Sequence, residues 1–282
     1  MTVLACIDGS RFTESVCAYA ARSARRLGIG VELLHAIDRL PGEGMAIDRS
    51  GRMTFDMADT ALEEFSRLNE ERSRFAQAQG RLILDQAESL IRSAGIEHVQ
   101  ERLVFGGLID AIHAREVGAQ LIVIGKRGEA ESQATAHIGS NLERVVRSVH
   151  HPVLIVPLEQ RPFRRFVVAF DGGPSSARVL DTLTRGPLLL EAECHLLSVG
   201  SGAELGDQLT AAALRLRNAG YAVNELMKPG HADDVIISTV QETDSDLLVM
   251  GAYGHSRIRA LIIGSTTTSL LRASTIPVLV IR

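Results

Sequence analysis

Two stretches, HIGSNLERVVRSVHHPVLIV at 137–156 and IIGSTTTSLLRASTIPVLVI at 262–281, share one pattern. Each has Gly-Ser in its third and fourth places, an amphipathic middle and an apolar ending opened by Pro. Working back from them, QLIVIGKRG (120–128) matches DLLVMGAYG (246–254), and GGLIDAI (106–112) matches GHADDVI (230–236). VELLHAI (31–37) matches ECHLLSVG, with Leu33-Leu34 on Leu196-Leu197. VLACIDGS (3–10) matches FVVAFDGG (166–173), setting Asp8 against Asp171. Five blocks in one order make the chain two copies of one unit, the first thing to settle in any reading of a sequence. The expected boundaries are 1–158, a polar linker 159–165 within PLEQRPFRR, and 166–282.

Within each copy, apolar runs such as LACI, LIVIG and VLIVP lack period-two alternation. Strands covered on both faces read this way. Between them lie helical patterns: Leu84, Ala87, Leu90 and Ile91 in one copy, Leu205, Leu209, Ala212, Ala213 and Leu216 in the other. Ser93-Ala94-Gly95 and Asn218-Ala219-Gly220 supply the helix stops. Each copy is therefore expected to alternate strand and helix five strands deep, with a parallel sheet between helical layers. The exception is a length difference. Ala36 to Gly106 spans 70 positions and Val199 to Gly230 only 31, so the first copy carries 39 more. This insertion, 38–80, is expected to be a loop and an extended surface helix, the most mobile or partner-engaged region of the chain.

Composition bounds the function. Thirty basic against 34 acidic side chains give a net charge of −4, which offers no electrostatic footprint for nucleic acid. No apolar run is long enough to span a membrane. Cys6, Cys17 and Cys194 are odd in number, scattered and set in apolar runs, as reduced core thiols are. With no basic, apolar leader visible at the start, a cytoplasmic location is expected.

Two features in each copy suit a nucleotide. An aspartate closes the first strand, and ligands of open α/β sheets sit at the carboxyl ends of strands where strand order reverses. Asp8 and Asp171 could accept hydrogen bonds from ribose hydroxyls or an adenine amine, or could simply cap a turn before Gly9 and Gly172. The second feature follows the fourth strand. Copy two has Gly251 and Gly254, nine residues, then Gly264-Ser265-Thr266; copy one has Gly125 and Gly128, ten residues, then Gly139-Ser140-Asn141. Glycines let backbone N–H groups approach an anion, and a helix N-terminus favours phosphate.

The pattern Gly-x2-Gly-x9-Gly-(Ser/Thr) after a strand-one Asp resembles the universal stress protein family, and the PVLVI ending (277–281) is similar to that family's. The resemblance implies two five-stranded parallel α/β sandwiches of order 3-2-1-4-5, of the adenine-nucleotide α-hydrolase-like kind. It implies that the last strands of the two copies meet in an intrachain pseudo-dimer with a pseudo-two-fold axis. Members with the motif bind ATP, with Mg2+ as an optional companion; others bind no nucleotide. Carried over, the resemblance implies that Ala169, Phe170 and Val199 line the base, Asp171 meets ribose or adenine and Met250 floors the site. Gly251, Gly254, Gly264, Ser265 and Thr266 then hold phosphates. In copy one the matches are Cys6, Ile7, Asp8, Ala36, Ile124, Gly125, Gly128, Gly139, Ser140 and Asn141, with one extra loop residue.

Other chemistry is sparse. GxxxxGK[ST], GxSxG and HExxH do not occur. Adjacent His150 and His151 on one extended strand point to opposite faces and do not make a metal pair. His137, His255, Lys126, Arg127, Arg257 and Arg259 lie near the glycine loops. The resemblance implies a nucleotide-dependent stress regulator, and since the sequence offers no evident base for water, hydrolysis is expected to be slow or absent. The rival reading is a nucleotide-free interaction module of the same fold. A protein partner and a further homodimer are open in either case.

Overall fold

In the computed structural model of the protein, residues 1–37, 55–128, 140–252 and 265–282 are described. The first half runs β1 (Thr2–Ile7), α1 (Thr13–Leu27), β2 (Gly30–Ile37), α2 (Phe55–Ser93), β3 (Val99–Phe105), α3 (Leu108–Glu116), β4 (Ala119–Gly125), α4 (Ser140–Ser148) and β5 (Val153–Val156). The second runs β6 (Arg165–Ala169), α5 (Pro174–Arg185), β7 (Glu193–Val199), α6 (Ala203–Asn218), β8 (Val223–Lys228), α7 (Ala232–Glu242), β9 (Leu247–Gly251), α8 (Ser265–Ala273) and β10 (Val278–Ile281). Repetition in the sequence is thus repetition in the fold.

All ten strands form one sheet in the order β3-β2-β1-β4-β5-β10-β9-β6-β7-β8. Each half has the expected 3-2-1-4-5 order and is parallel throughout. The halves join where β5 meets β10 antiparallel, with Leu154 opposite Leu279. Those two leucines are equivalents in the repeat, so the pseudo-two-fold axis passes through their pair. Both strands are four residues long and buried throughout. Left unpaired, such apolar edges invite association with other chains; here each covers the other.

Odd and even residues of the strands feed different layers. Val3, Ala5 and Ile7 join a core under α1, α2, α5 and α6, whereas Leu4 and Cys6 join a second core under α3, α4, α7 and α8. Both cores continue across the β5–β10 seam. The connection between β5 and β6 is not merely polar. Phe163 is buried and stacks on Tyr19 of α1 at 5.7 Å, with the Arg22 and Arg26 guanidiniums over its ring. The Tyr19 hydroxyl accepts the Arg161 N–H at 2.8 Å. The connection is therefore fastened to α1.

The insertion forms the start of one continuous helix. α2 has 39 residues where its counterpart α6 has 16. Its last turns bury Leu84, Ala87 and Ile91, while Leu68, Phe75 and Leu82 are exposed at seven-residue intervals. Residues 38–54 of the expected insertion lie outside the described residues.

Candidate functional site

In the first half the chain leaves β1 toward β2 on one side and later returns to β4 on the other. The order therefore reverses between β1 and β4, where a crevice opens beyond the strand ends. A cavity of about 390 Å³ lies there. Cys6, Ile7, Asp8, Ala36, Ile124, Gly125, Gly128 and Asn141 all line it. Eight residues matched from strand ends, a loop and a helix start are brought to one hole. Ser140 opens α4 beside them, and Gly139 lies outside the described residues, as does His137.

Local chemistry fixes the walls. Gly9 has φ +77°, which the turn after β1 requires. Asp8 Oδ1 accepts the Ser10 N–H at 3.0 Å, closing that turn. A Cβ on Gly128 would stand 3.0 Å from Asp8 Oδ2, so the glycine loop and the carboxylate press together. A Cβ on Gly125 would stand 2.8 Å from the Phe12 Cβ. The α2 side is closed by Gly80 and Ile83: a Cβ on Gly80 would meet Leu103, His35 and Ile37 at 2.7–3.3 Å. His35 is buried and its Nδ1 pairs with the Ile7 carbonyl at 2.9 Å. Arg127 brings a cation to the lining. The sequence reading missed Phe12, His35, Gln79, Gly80 and Ile83, which also line the cavity. The repeat carried no signal for them, because Ser175, Ser198 and Gln208 stand at the places of Phe12, His35 and Ile83.

The second half repeats the frame with different side chains. Asp171 Oδ1 accepts the Ser176 hydroxyl at 2.5 Å and the Gly173 N–H at 2.9 Å. The Asp171 carboxylate thus does the turn-capping that its Asp-Gly context allows. The Phe170 carbonyl accepts the Ser198 hydroxyl at 2.9 Å, as Ile7 accepts from His35. Ala169 ends β6, Val199 ends β7 and buried Met250 lies on β9. A Cβ on Gly251 would stand 2.5 Å from the Ser175 Cβ, so the missing side chain there makes room for α5. Ser265 and Thr266 open α8, whose third residue, Thr267, ties the helix to the Ala252 carbonyl at 3.2 Å. Gly254 and Gly264 lie outside the described residues, with His255, Arg257 and Arg259.

Three other candidates take definite places. Cys6 is buried, and burial with Asp8 beside it pushes the thiol up to about 12. It stays protonated, which suits a packed thiol and not an oxidant sensor. Lys126 leaves its own loop. Burial and then the neighbouring Arg127 hold its ammonium down to about 8. Its Nζ donates to the carbonyls of Arg272 and Ser274, at 2.8 and 2.7 Å, in the other half. His150 and His151 gather with His113 around Glu116, whose carboxylate takes the backbone N–H of both. Among the described residues no group of three or more His, Cys, Asp or Glu side chains is arranged to hold a metal ion. Nor is any helix among them long and apolar enough to cross a membrane.

Comparison with known proteins agrees with this fold. The sequence model of the Universal stress protein family matches residues 1–157 and 197–282. The universal stress protein Slr1230 of Synechocystis sp. is 33% identical over 284 residues, 99% of each chain. Rv1996 of Mycobacterium tuberculosis, also a universal stress protein, is 22% identical over 98% of this chain and 93% of its own. A solved universal stress protein from Archaeoglobus fulgidus superposes over 100% of this chain and 98% of its own, with TM-score 0.70 and 21% identity. The chain, two copies of one strand-and-helix unit joined at their last strands, belongs to the universal stress protein family.

Proposed function

We propose that the protein is a nucleotide-dependent regulator, and that ATP binds at the β1–β4 crevice of the first half and at the equivalent place in the second. The observation that carries this reading is the 390 Å³ cavity in which Asp8, the Gly125–Gly128 loop and Asn141 converge. Its volume lies in the usual range for small-molecule sites. Its chemistry changes along its length as a nucleotide's does. Apolar side chains and the ends of β1 and β2 suit a base, the Asp8 carboxylate suits ribose hydroxyls, and the loop amides with the α4 N-terminus suit phosphates. In the second half Asp171, Gly251, Ser265 and Thr266 stand at matching points. Mg2+ would be held by the phosphates, since the described residues offer no cluster for it. The sequence carries no GxxxxGK[ST] phosphate loop, and turnover is expected to be slow at most. Within the family, a universal stress protein has been solved in complex with cAMP, and that nucleotide belongs in any ligand panel.

A second reading rests on a different observation. The exposed Leu68, Phe75 and Leu82 of α2 recur every seven residues, a spacing that suits packing against another helix. A nucleotide-free interaction module would use that face. One experiment separates the two. Purified protein is denatured, and the small molecules released are identified by mass and absorbance. An adenine nucleotide in near-stoichiometric amount is the expected result. An empty protein that also fails to bind ATP, ADP, AMP or cAMP in calorimetry would overturn the nucleotide reading.

A further inference from the structure

α4 and α8 lie beside each other across the pseudo-two-fold, with Arg272 of α8 3.8 Å from Glu143 of α4. Each is capped at its C-terminal end by a cation from the opposite half. Lys126 reaches out of the Gly125–Gly128 loop to two carbonyls at the end of α8. Arg282, just past β10, donates to the Arg147 carbonyl in the last turn of α4. The final carbonyls of a helix lack partners within it and form the negative end of its dipole. The exchange is unequal in one respect. Only the first cap comes from a glycine loop, because Ala252 stands at the place of Lys126 in the second half.

We propose that Lys126 couples the two sites, so that a nucleotide on the first half's glycine loop lowers the affinity of the second half. This rests on the nucleotide reading above. The Lys126 backbone is fixed by its N–H to the Val156 carbonyl at 2.9 Å, which leaves the side chain as the moving part. In the structure the ammonium caps α8; in the proposed second position it turns back and pairs with phosphates held on its own loop. Polyphosphate brings several negative charges to those four residues, and ion pairing to phosphate is stronger than donation to neutral carbonyls. Moving the ammonium withdraws a cation and a restraint from α8. That helix has nine residues, or about 13 Å, and its opposite end, Ser265 and Thr266, is the proposed phosphate site of the second half. Occupancy of one half is thus read at the other through one side chain and one short helix.

The test is calorimetry of ATP binding to the full chain. Asn141→Glu puts a carboxylate at the start of α4 and closes the first site. The second site of that variant should bind ATP about five-fold or more tightly than the weaker step of the parent, the lower end of ordinary coupling. Lys126→Met should erase the difference between chains with and without Asn141→Glu, and Lys126→Arg should restore it. Equal second-site affinity with the first site open or closed would overturn the coupling while leaving the nucleotide reading standing. Coupling that survives Lys126→Met would overturn the role of this lysine. Failure of every chain to bind ATP would overturn both readings together.

Discussion

At the scale of single residues, the glycines divide into two kinds. The sequence motif treats Gly125 and Gly251 as places where backbone meets phosphate. The structure gives both a packing duty, since a Cβ would strike Phe12 in one half and Ser175 in the other. Gly128 faces the Asp8 carboxylate instead, although Gly125 and Gly128 both line the cavity. The distinction can be measured. Gly125→Ala should destabilise the fold by about 1–3 kcal/mol, the usual cost of overpacking, read as a lowered urea midpoint. Asn141→Glu should abolish first-half binding and leave that midpoint nearly unchanged. If Gly125→Ala keeps full stability, Phe12 yields easily and the packing argument fails. Asp8 and the glycine spacing were legible from the repeat alone, because short-range pattern sets the turn. Phe12, His35 and Gly80 were not, because their contacts join the start of α1 to β4, β2 to β1, and α2 to β2 and β3, pairs far apart in sequence.

At the scale of elements, two features escaped the sequence for the same reason. Gly80 fell at the edge of the expected insertion, yet it lies inside α2. Glycine costs a helix interior about 1 kcal/mol relative to alanine, but this one lets the helix pass close over β2 and β3. The second feature is Glu116. Burial alone would raise its carboxyl, but hydrogen bonds from the His150 and His151 amides and from the His113 and His151 rings outweigh that and lower it to about 2. Val240 occupies the matching place in the second half, so the repeat gave no hint of it. A group with a depressed folded pKa contributes stability that is complete above its ordinary value, near 4.5, and is lost as pH falls toward 2. The contribution is on the order of 3 kcal/mol. Urea midpoints between pH 6 and pH 2 should therefore fall more steeply for the parent than for Glu116→Gln. Parallel acid limbs would show that Glu116 does not hold α3 to the segment before β5.

At the scale of the whole molecule, the fold was almost wholly legible: five matched blocks dictate two alike halves, and two apolar last strands must find cover. What the sequence could not reveal is how firmly the halves are joined, since that depends on Phe163 under α1 and on cores that cross the seam. One consequence is cooperative unfolding. Calorimetry should give a single transition for the parent. Leu154→Ala, at the pseudo-two-fold, should cost about 2–5 kcal/mol and lower that transition as a whole. Two resolved transitions in the parent would mean that each half melts independently.

The β5–β10 seam also bears on how the two halves can differ. Were the same contact made between two separate identical chains, every substitution would appear on both sides of the axis at once. Here eight residues, 157–164, keep the partner permanently at hand, which sustains the pairing at any dilution of the protein. Each side is then released from mirroring the other. Phe12 against Ser175, His35 against Ser198, Ile83 against Gln208 and Lys126 against Ala252 are changes that a symmetric pair could accept only in duplicate. One covalent chain lets a shape used twice carry different side chains in its two halves.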